Sequence, residues 1–162
     1  MKITIMLPIL IIAICIGYTE KKQNTNINIK NREIMEKQMK QSIETLLMNY
    51  KETLNNADAA QATSLYTKDG VFMANGAPSA IGAEQIKSTY EYFFSQIQLN
   101  IEFYIEEIVI ENNIAFAVTS SKGTTLIHET GTTIAEENRE LFVLEKENNA
   151  WKIARYMFNK IK

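Results

Sequence analysis

The sequence has almost no cysteine or histidine: among its 162 residues, Cys15 and His128 are each the sole residue of their type. A single cysteine has no partner, so a disulfide within the chain is excluded. Transition-metal sites are built from clustered histidine, cysteine and carboxylate ligands, and the sequence offers no such cluster at ligand spacing. It also lacks a phosphate-binding glycine loop and the serine elbow of hydrolases. We therefore expect neither a metal nor a cofactor.

The chain also has no excess of positive charge. It carries 17 lysines and arginines against 19 aspartates and glutamates, for a net charge of −2. Phosphate binding needs a concentrated basic face, so nucleic acid is not an expected partner. The composition is 46% hydrophobic and 22% charged, which is typical of a globular chain long enough for one domain with a core.

The N-terminus has the layout of an export signal. One cation, Lys2, precedes an uncharged apolar run from Ile3 to Ile16. A bilayer-spanning helix needs about 20 apolar residues, so this run favours a signal peptide or lipoprotein signal over residues 1–19, with an uncleaved anchor as the alternative. Cys15 stands where a bacterial lipoprotein carries its lipidated cysteine, and simple cleavage nearby is the other interpretation. We expect an exported protein of the periplasm, the cell envelope or the medium.

Residues 20–33 are rich in lysine, asparagine and glutamine and predict a flexible tether. From Ile34, apolar residues recur at spacings of three and four, which indicates a long amphipathic helix that ends near Asn56. Asp58 is placed to cap a short second helix. "DGVFMANG" then predicts a short strand with a glycine turn, and a third helix follows it. The apolar stripe of the first helix consists of Met35, Met39, Ile43, Leu46, Leu47, Tyr50 and Leu54.

The second half alternates with period two and predicts an antiparallel meander. The alternation slips by one residue at Glu106 and Glu107, which predicts a bulge that bends the strand. Asparagine pairs at 112–113 and 148–149 predict hairpin turns, because asparagine tolerates positive φ. Segregated helices and strands favour an α+β domain over residues 34–162, with three N-terminal helices packed on a curved antiparallel sheet.

Three stretches in this order, "YTKDGVFM", "IGAEQI" and "WKIAR", resemble the SnoaL-like, or ketosteroid isomerase-like, domains of the nuclear transport factor 2-like superfamily. The resemblance covers residues 43 to about 160. It implies a cone in which a bent sheet wraps around the helices and leaves a pocket at the wide end. The superfamily includes isomerases, dehydratases, cyclases and many proteins that are not enzymes, so the shape alone does not assign an activity.

The resemblance places three positions of an isomerase site on this sequence. The general base falls on Ala74, which cannot exchange a proton and therefore counts against isomerase chemistry. The oxyanion-stabilising tyrosine corresponds to Tyr50, and the buried acid of the penultimate strand corresponds to Glu140. The set is incomplete without its base.

Two further polar residues have alternative interpretations. Related dehydratases use a histidine as acid and base, so His128 is a catalytic candidate, although a lone histidine in a polar stretch is more simply a solvated residue at a strand end. Asp69 is either an acid at the pocket rim or an acceptor for backbone N–H groups of the turn, and the turn context favours the second.

Period two along the strands, together with the family register, predicts the lining of the pocket. Such a lining suits a small apolar or aromatic molecule, unless the same side chains fill the interior completely. The predicted lining comprises Tyr50, Tyr66, Phe72, Ala74, Tyr90, Phe94, Glu140, Phe142, Leu144, Ala154, Tyr156 and Phe158.

The opposite sheet face is also predicted to be apolar and to need covering. A homodimer formed through the sheets, as the resemblance implies, is one solution, and a different protein partner is the other. The predicted dimer face comprises Leu141, Val143, Trp151, Ile153 and Met157.

The sequence is compatible with two functions. The first is an exported domain that binds a small apolar molecule without catalysis. The alternative is an acid–base enzyme of isomerase, dehydratase or cyclase type that acts on an apolar or polyketide-like molecule through Glu140 and Tyr50, with Asp69 or His128.

Overall fold

The computed structural model describes the backbone from Leu10 to Ile161 and the side chains from Ile27 to Ile161. The chain divides into two units, Met1–Met39 and Lys40–Lys162. The predicted signal segment and Cys15 lie outside the residues whose side chains are described. Among the described residues, no helix combines the length and the apolar character needed to cross a membrane.

The first helix, α1, runs from Leu10 to Asn55 and so begins well before Ile34. The expected tether of residues 20–33 lies within this helix. The sequence contains neither glycine nor proline between Gly17 and Gly70, so no strong helix breaker interrupts it. The predicted stripe is buried from Ile43 onward, whereas Met35 is 60% exposed.

Two shorter helices follow. The second, α2, runs from Ala59 to Ser64, and its N-cap is Asp58, whose carboxylate accepts a 2.8 Å hydrogen bond from the backbone N–H of Gln61, as predicted. The third, α3, runs from Gly82 to Gln96 and buries Ile86 and Tyr90. The helices that precede the long strands therefore match the predicted order.

Within the described residues, six strands form one curved sheet in the order β2-β1-β6-β5-β4-β3. The α+β class and the cone fold are confirmed. One pair, β1 with β6, is parallel, so the sheet is mixed where an antiparallel sheet was expected. The strand bounds are β1 Tyr66–Met73, β2 Ala80–Ile81, β3 Ile97–Glu111, β4 Ile114–Ile127, β5 Thr132–Glu147 and β6 Ala150–Lys160.

Asparagines make the tight turns between long strands. Asn112 has φ 56°, and Asn148 and Asn149 have φ 50° and 64°. Both predicted hairpins, β3–β4 and β5–β6, are confirmed, since asparagine is the residue type besides glycine that most readily occupies the left-handed region.

The pairing of β3 with β4 has one register shift and one very close approach of the two backbones. The register shifts between Ile105 and Glu107, which confirms the predicted bulge. At Gly123 of β4, an added Cβ would lie 2.1 Å from the backbone oxygen of Asn100. Glycine is therefore required here by the close approach of two backbones.

A bulge in β6 corrects the predicted dimer face. Leu144 pairs with Ile153 but Val143 pairs with Arg155, so Ala154 is the extra residue of a bulge in β6. The slip turns Trp151 and Ile153 inward, and both are buried at 6% and 0% exposure. Their expected place on the outer face assumed unbroken alternation.

Candidate functional site

A cavity of about 360 Å³ lies between the helices and the inner face of the sheet. Most of its wall is apolar, and its two acids, Glu136 and Glu140, both lie on β5. It is lined by Tyr50, Leu54, Phe72, Asn75, Tyr90, Phe93, Phe94, Ile97, Leu99, Ile101, Thr125, Ile127, Ile134, Glu136, Asn138, Glu140, Tyr156, Phe158 and Lys160.

Alternation along β5 produces the polar wall. Glu136, Asn138 and Glu140 are spaced two residues apart and all three are buried. In β4, Ser121 pairs with Asn138 and Thr119 pairs with Glu140, so short hydroxyl side chains face the larger polar groups. We call Glu136, Asn138 and Glu140, with their β4 partners, the polar wall.

Glu140 is the deepest acid described, with 4% of its surface exposed. The Thr119 hydroxyl donates to Oε2 at 2.5 Å, and the Tyr156 hydroxyl donates to Oε1 at 3.3 Å. Burial raises the pKa of Glu140 above its ordinary value, and hydrogen bonds from Thr119, Ser121 and Tyr156 offset part of that rise. A carboxyl group in this state can exchange a proton nearer neutral pH than a surface glutamate.

A cluster of tyrosine hydroxyls lies at the helix side of the same cavity. The Tyr90 hydroxyl bonds to the hydroxyl of Tyr50 and, at 2.8 Å, to that of Tyr66. Burial is the largest cause that raises the pKa of each of these tyrosines, and also that of Tyr156. The hydroxyls therefore stay protonated at neutral pH and act as hydrogen-bond donors and acceptors.

Glu136 differs from Glu140 because a cation pairs with it. Thr125 donates to Oε2 at 2.9 Å, the Asn138 amide donates to Oε1 at 3.1 Å, and the Lys160 ammonium lies 3.1 Å from Oε2. The Lys160 side chain is 39% exposed, so this pair lies at the wetter end of the wall.

The comparisons with known proteins agree with this geometry. A family model for the SnoaL-like domain matches residues 43–158, which contain nearly all of the cavity lining. The chain belongs to the SnoaL-like domain family. No curated protein sequence matches it.

Solved structures are also similar to this SnoaL-like chain. A ketosteroid isomerase-like protein from Erwinia carotovora atroseptica SCRI1043 is 31% identical to this chain, with a TM-score of 0.72. The match covers 74% of this chain and 94% of the Erwinia chain. A nuclear transport factor 2-like superfamily protein from Salmonella enterica serovar Typhimurium LT2 is 20% identical over 76% and 92%, with a TM-score of 0.69. At that lower identity the similarity shows the fold alone.

The structure brings part of the predicted site of this SnoaL-like domain together. Seven predicted residues line the cavity: Tyr50, Phe72, Tyr90, Phe94, Glu140, Tyr156 and Phe158. Five others are buried but do not line it: Tyr66, Ala74, Phe142, Leu144 and Ala154. Tyr66 contacts the site through the Tyr90 hydroxyl, and Phe142 stacks on Tyr156 at a ring distance of 4.3 Å.

Asp69 and His128, the other two catalytic candidates, are exposed and do not line the cavity. The His128 ring Nδ1 lies 3.0 Å from the backbone oxygen of Ser95, and the Asp69 backbone oxygen lies 3.4 Å from Arg155. The exposed position of His128 after β4 matches the solvated strand-end interpretation. The contact at Asp69 is made by its backbone, so the predicted role of its side chain as an acceptor in the turn stays a prediction. Among the described residues, no group of three or more histidines, cysteines or acids could hold a metal ion.

The sequence interpretation missed most of the polar wall. Glu136, Asn138, Thr119, Ser121 and Thr125 were not predicted, yet all are buried. The available signal was the period-two spacing of polar residues in "EENRE", in phase with Glu140. In an ordinary sheet such a row faces solvent, and only its phase relative to Phe142 and Leu144 places it inside.

Replacing Glu140 with glutamine tests its buried charge in this SnoaL-like domain. The folded pKa lies above that of the unfolded chain, about 4.3, so the folded state binds the proton more tightly. The stabilisation of the folded state by the proton on Glu140 is therefore complete below a pH of about 4.3, and it is lost as the pH rises through the raised pKa. We expect the melting temperature of Glu140→Gln, relative to the wild type, to rise between pH 4 and pH 7, because the glutamine does not ionise while the buried acid of the wild type does.

The matched control is Glu107→Gln, which changes an exposed acid away from the cavity. Its melting temperature should differ from the wild type by a similar amount at every pH. A Glu140→Gln difference that is equally flat would contradict the buried-charge interpretation.

Proposed function

We propose that this domain binds a small, mainly apolar molecule in the cavity between the helices and the sheet. The observation that carries the proposal is the combination of about 360 Å³ of space with a mostly apolar wall that holds a few polar groups, among them three on β5. Small-molecule sites are concave and mostly apolar, with a few polar groups that orient the ligand. The SnoaL-like family supports a small-molecule-binding fold.

Binding without catalysis is the simpler form of this proposal. At the position that the isomerase resemblance gives to the general base, the chain has Ala74, which is buried and does not line the cavity. An alanine cannot take or give a proton. The polar wall would then orient the ligand rather than transform it.

Filling the cavity with a larger side chain should weaken the binding of a small apolar molecule. Leu99 lines the cavity on β3, and a tryptophan there would occupy the ligand's volume. We expect the neutral probe N-phenyl-1-naphthylamine to bind the wild type once per domain with increased fluorescence, and Leu99→Trp to weaken it at least about tenfold, or 1.4 kcal/mol. Tyr104→Trp, an exposed change on the same strand, is the control. Equal binding by both variants would exclude the cavity as the site.

An acid–base enzyme is the alternative, favoured by the raised pKa of Glu140 at the cavity wall beside Tyr156. For any substrate found, Glu140→Gln should then lower kcat by at least about 100-fold, the usual contribution of a general acid or base. Binding of the neutral naphthyl probe should change little. Turnover that survives the substitution would remove Glu140 from the chemistry.

We also propose that the domain forms a homodimer through the outer face of the sheet. Val109 pairs with Phe116, Phe116 with Val143, and Leu141 with Met157, so apolar side chains adjoin across four strands. We call these residues and Val118 the outer patch. Leu141 and Met157 are 37% and 36% exposed, and a contiguous apolar surface of this kind is typical of an interface.

Leu141→Glu tests the homodimer. A charge at the centre of the outer patch would be buried without a partner in a dimer but solvated in a monomer. We expect light scattering to give twice the chain mass for the wild type and a single chain mass for the variant. Thr124→Glu, an exposed change on β4 outside the outer patch, should leave the mass unchanged. A monomeric wild type would refute the proposal.

Export is the last part of the proposal. It rests on Lys2 followed by the apolar run from Ile3 to Ile16. The mass of the protein from its native host separates the alternatives: cleavage without modification, cleavage with a lipid on Cys15, or an intact N-terminus. Full-length protein that stays in the cytoplasm would contradict export.

A further inference from the structure

The polar wall has more hydrogen-bond acceptors than free donors. The hydroxyls of Thr119 and Tyr156 donate to Glu140. The Thr125 hydroxyl and the Lys160 ammonium donate to Glu136. The three hydroxyls are thus already directed at carboxylates, and the Lys160 ammonium directs one of its three N–H donors at Glu136 at the wetter end of the wall. An anionic ligand beside Glu140 would meet a second acid whose neighbouring hydroxyls already donate to that acid.

Asn138 adds an acceptor. Its amide nitrogen donates to Glu136 Oε1 at 3.1 Å and to Ser121 Oγ at 3.2 Å. Because a carboxylate only accepts, this contact fixes the amide with its nitrogen toward Glu136 and leaves Oδ1 for another donor. Among the described residues, Oδ1 is buried and has no hydrogen-bond partner, although Asn138 lines the cavity. A buried acceptor without a donor costs free energy that a ligand donor would recover.

Glu140 retains acceptor capacity as well. A carboxylate has about four lone-pair sites, and Glu140 receives hydrogen bonds from Thr119, Ser121 and Tyr156. The described cation at the cavity, Lys160, already pairs with Glu136. Two carboxylates and one ammonium therefore line the cavity, and the acid without a cationic partner is Glu140.

The apolar part of the lining is largely aromatic. Ring faces carry partial negative charge and attract cations, an effect that strengthens where water is excluded. The aromatic residues described in the lining are Tyr50, Phe72, Tyr90, Phe93, Phe94, Tyr156 and Phe158.

We propose that the ligand of this cavity is an organic cation: an apolar or aromatic amine, protonated at neutral pH, whose ammonium group binds Glu140 and Asn138 while its apolar part packs against the rings. This inference rests on the proposed binding function and adds the charge class of the ligand. The ammonium supplies the donors that the wall lacks and the positive charge that Glu140 lacks. A carboxylate ligand of the same shape meets repulsion, and a neutral alcohol satisfies only one acceptor.

Three indoles of similar size test the charge class directly: tryptamine, tryptophol and indole-3-acetate, which are a cation, a neutral alcohol and an anion. Each is titrated against the full chain with bound N-phenyl-1-naphthylamine at pH 7. We expect tryptamine to displace the probe at concentrations at least about tenfold lower than tryptophol, and indole-3-acetate to be the weakest. This comparison uses the wild type alone, so it does not depend on the folding of any variant.

Glu140→Gln should remove most of the preference for tryptamine over tryptophol, whereas Glu107→Gln should retain it. If the naphthyl probe binds but tryptamine displaces it no better than tryptophol or indole-3-acetate, the cation inference is overturned and the binding function stands. If the naphthyl probe itself does not bind, both fail. A tenfold preference that persists in Glu140→Gln would overturn the role of Glu140 as the cation's partner.

Discussion

The buried ring of Tyr50 is the contact on which the compact unit depends. Its side chain has no solvent exposure, and from α1 it contacts Tyr90 of α3 and rings of the sheet. Aromatic pairs at such distances add to the stabilisation from area burial, and their edge-to-face geometry fixes orientation. The rings within 5.3 to 6.4 Å of it are those of Tyr66, Tyr90, Phe103, Phe142 and Tyr156.

The cavity lies beside this aromatic packing, since Tyr50, Tyr90 and Tyr156 belong to both. Along the inner face of β5, Phe142 and Leu144 are fully buried apolar residues. The next inward positions are Glu140, Asn138 and Glu136, which need polar partners and cannot interdigitate with apolar side chains. Gly123 lets the backbone of β4 lie close to that of β3 beside this space. The same strand thus supplies both the core and the polar wall.

Local sequence patterns predicted the helices, the asparagine turns and one bulge. Features that depend on pairing between distant residues were not predicted. The asparagine turns and the bulge beside Glu106 are visible in the sequence because each disturbs a regular pattern. The bulge at Ala154 left a weaker mark, because the charged residues Lys152 and Arg155 stand three positions apart rather than two, while the apolar residues between them fit either phase. The parallel pairing of β1 with β6 joins residues about 85 positions apart, which local sequence does not encode. Glu136 and Asn138 were missed since their burial depends on Thr125 and Ser121 of the neighbouring strand.

The cost of the polar wall argues for a ligand more strongly than the cavity does. An aromatic cavity can arise where large rings pack imperfectly, but buried carboxylates do not arise from packing. Each one opposes folding by the loss of its hydration, and an apolar side chain at Glu140 would remove that cost. The donors around Glu140 only partly offset its burial, because the pKa remains raised. A role confined to folding therefore leaves the acid unexplained, whereas a partner that brings a positive charge or a proton to this wall accounts for both Glu140 and the unpaired oxygen of Asn138.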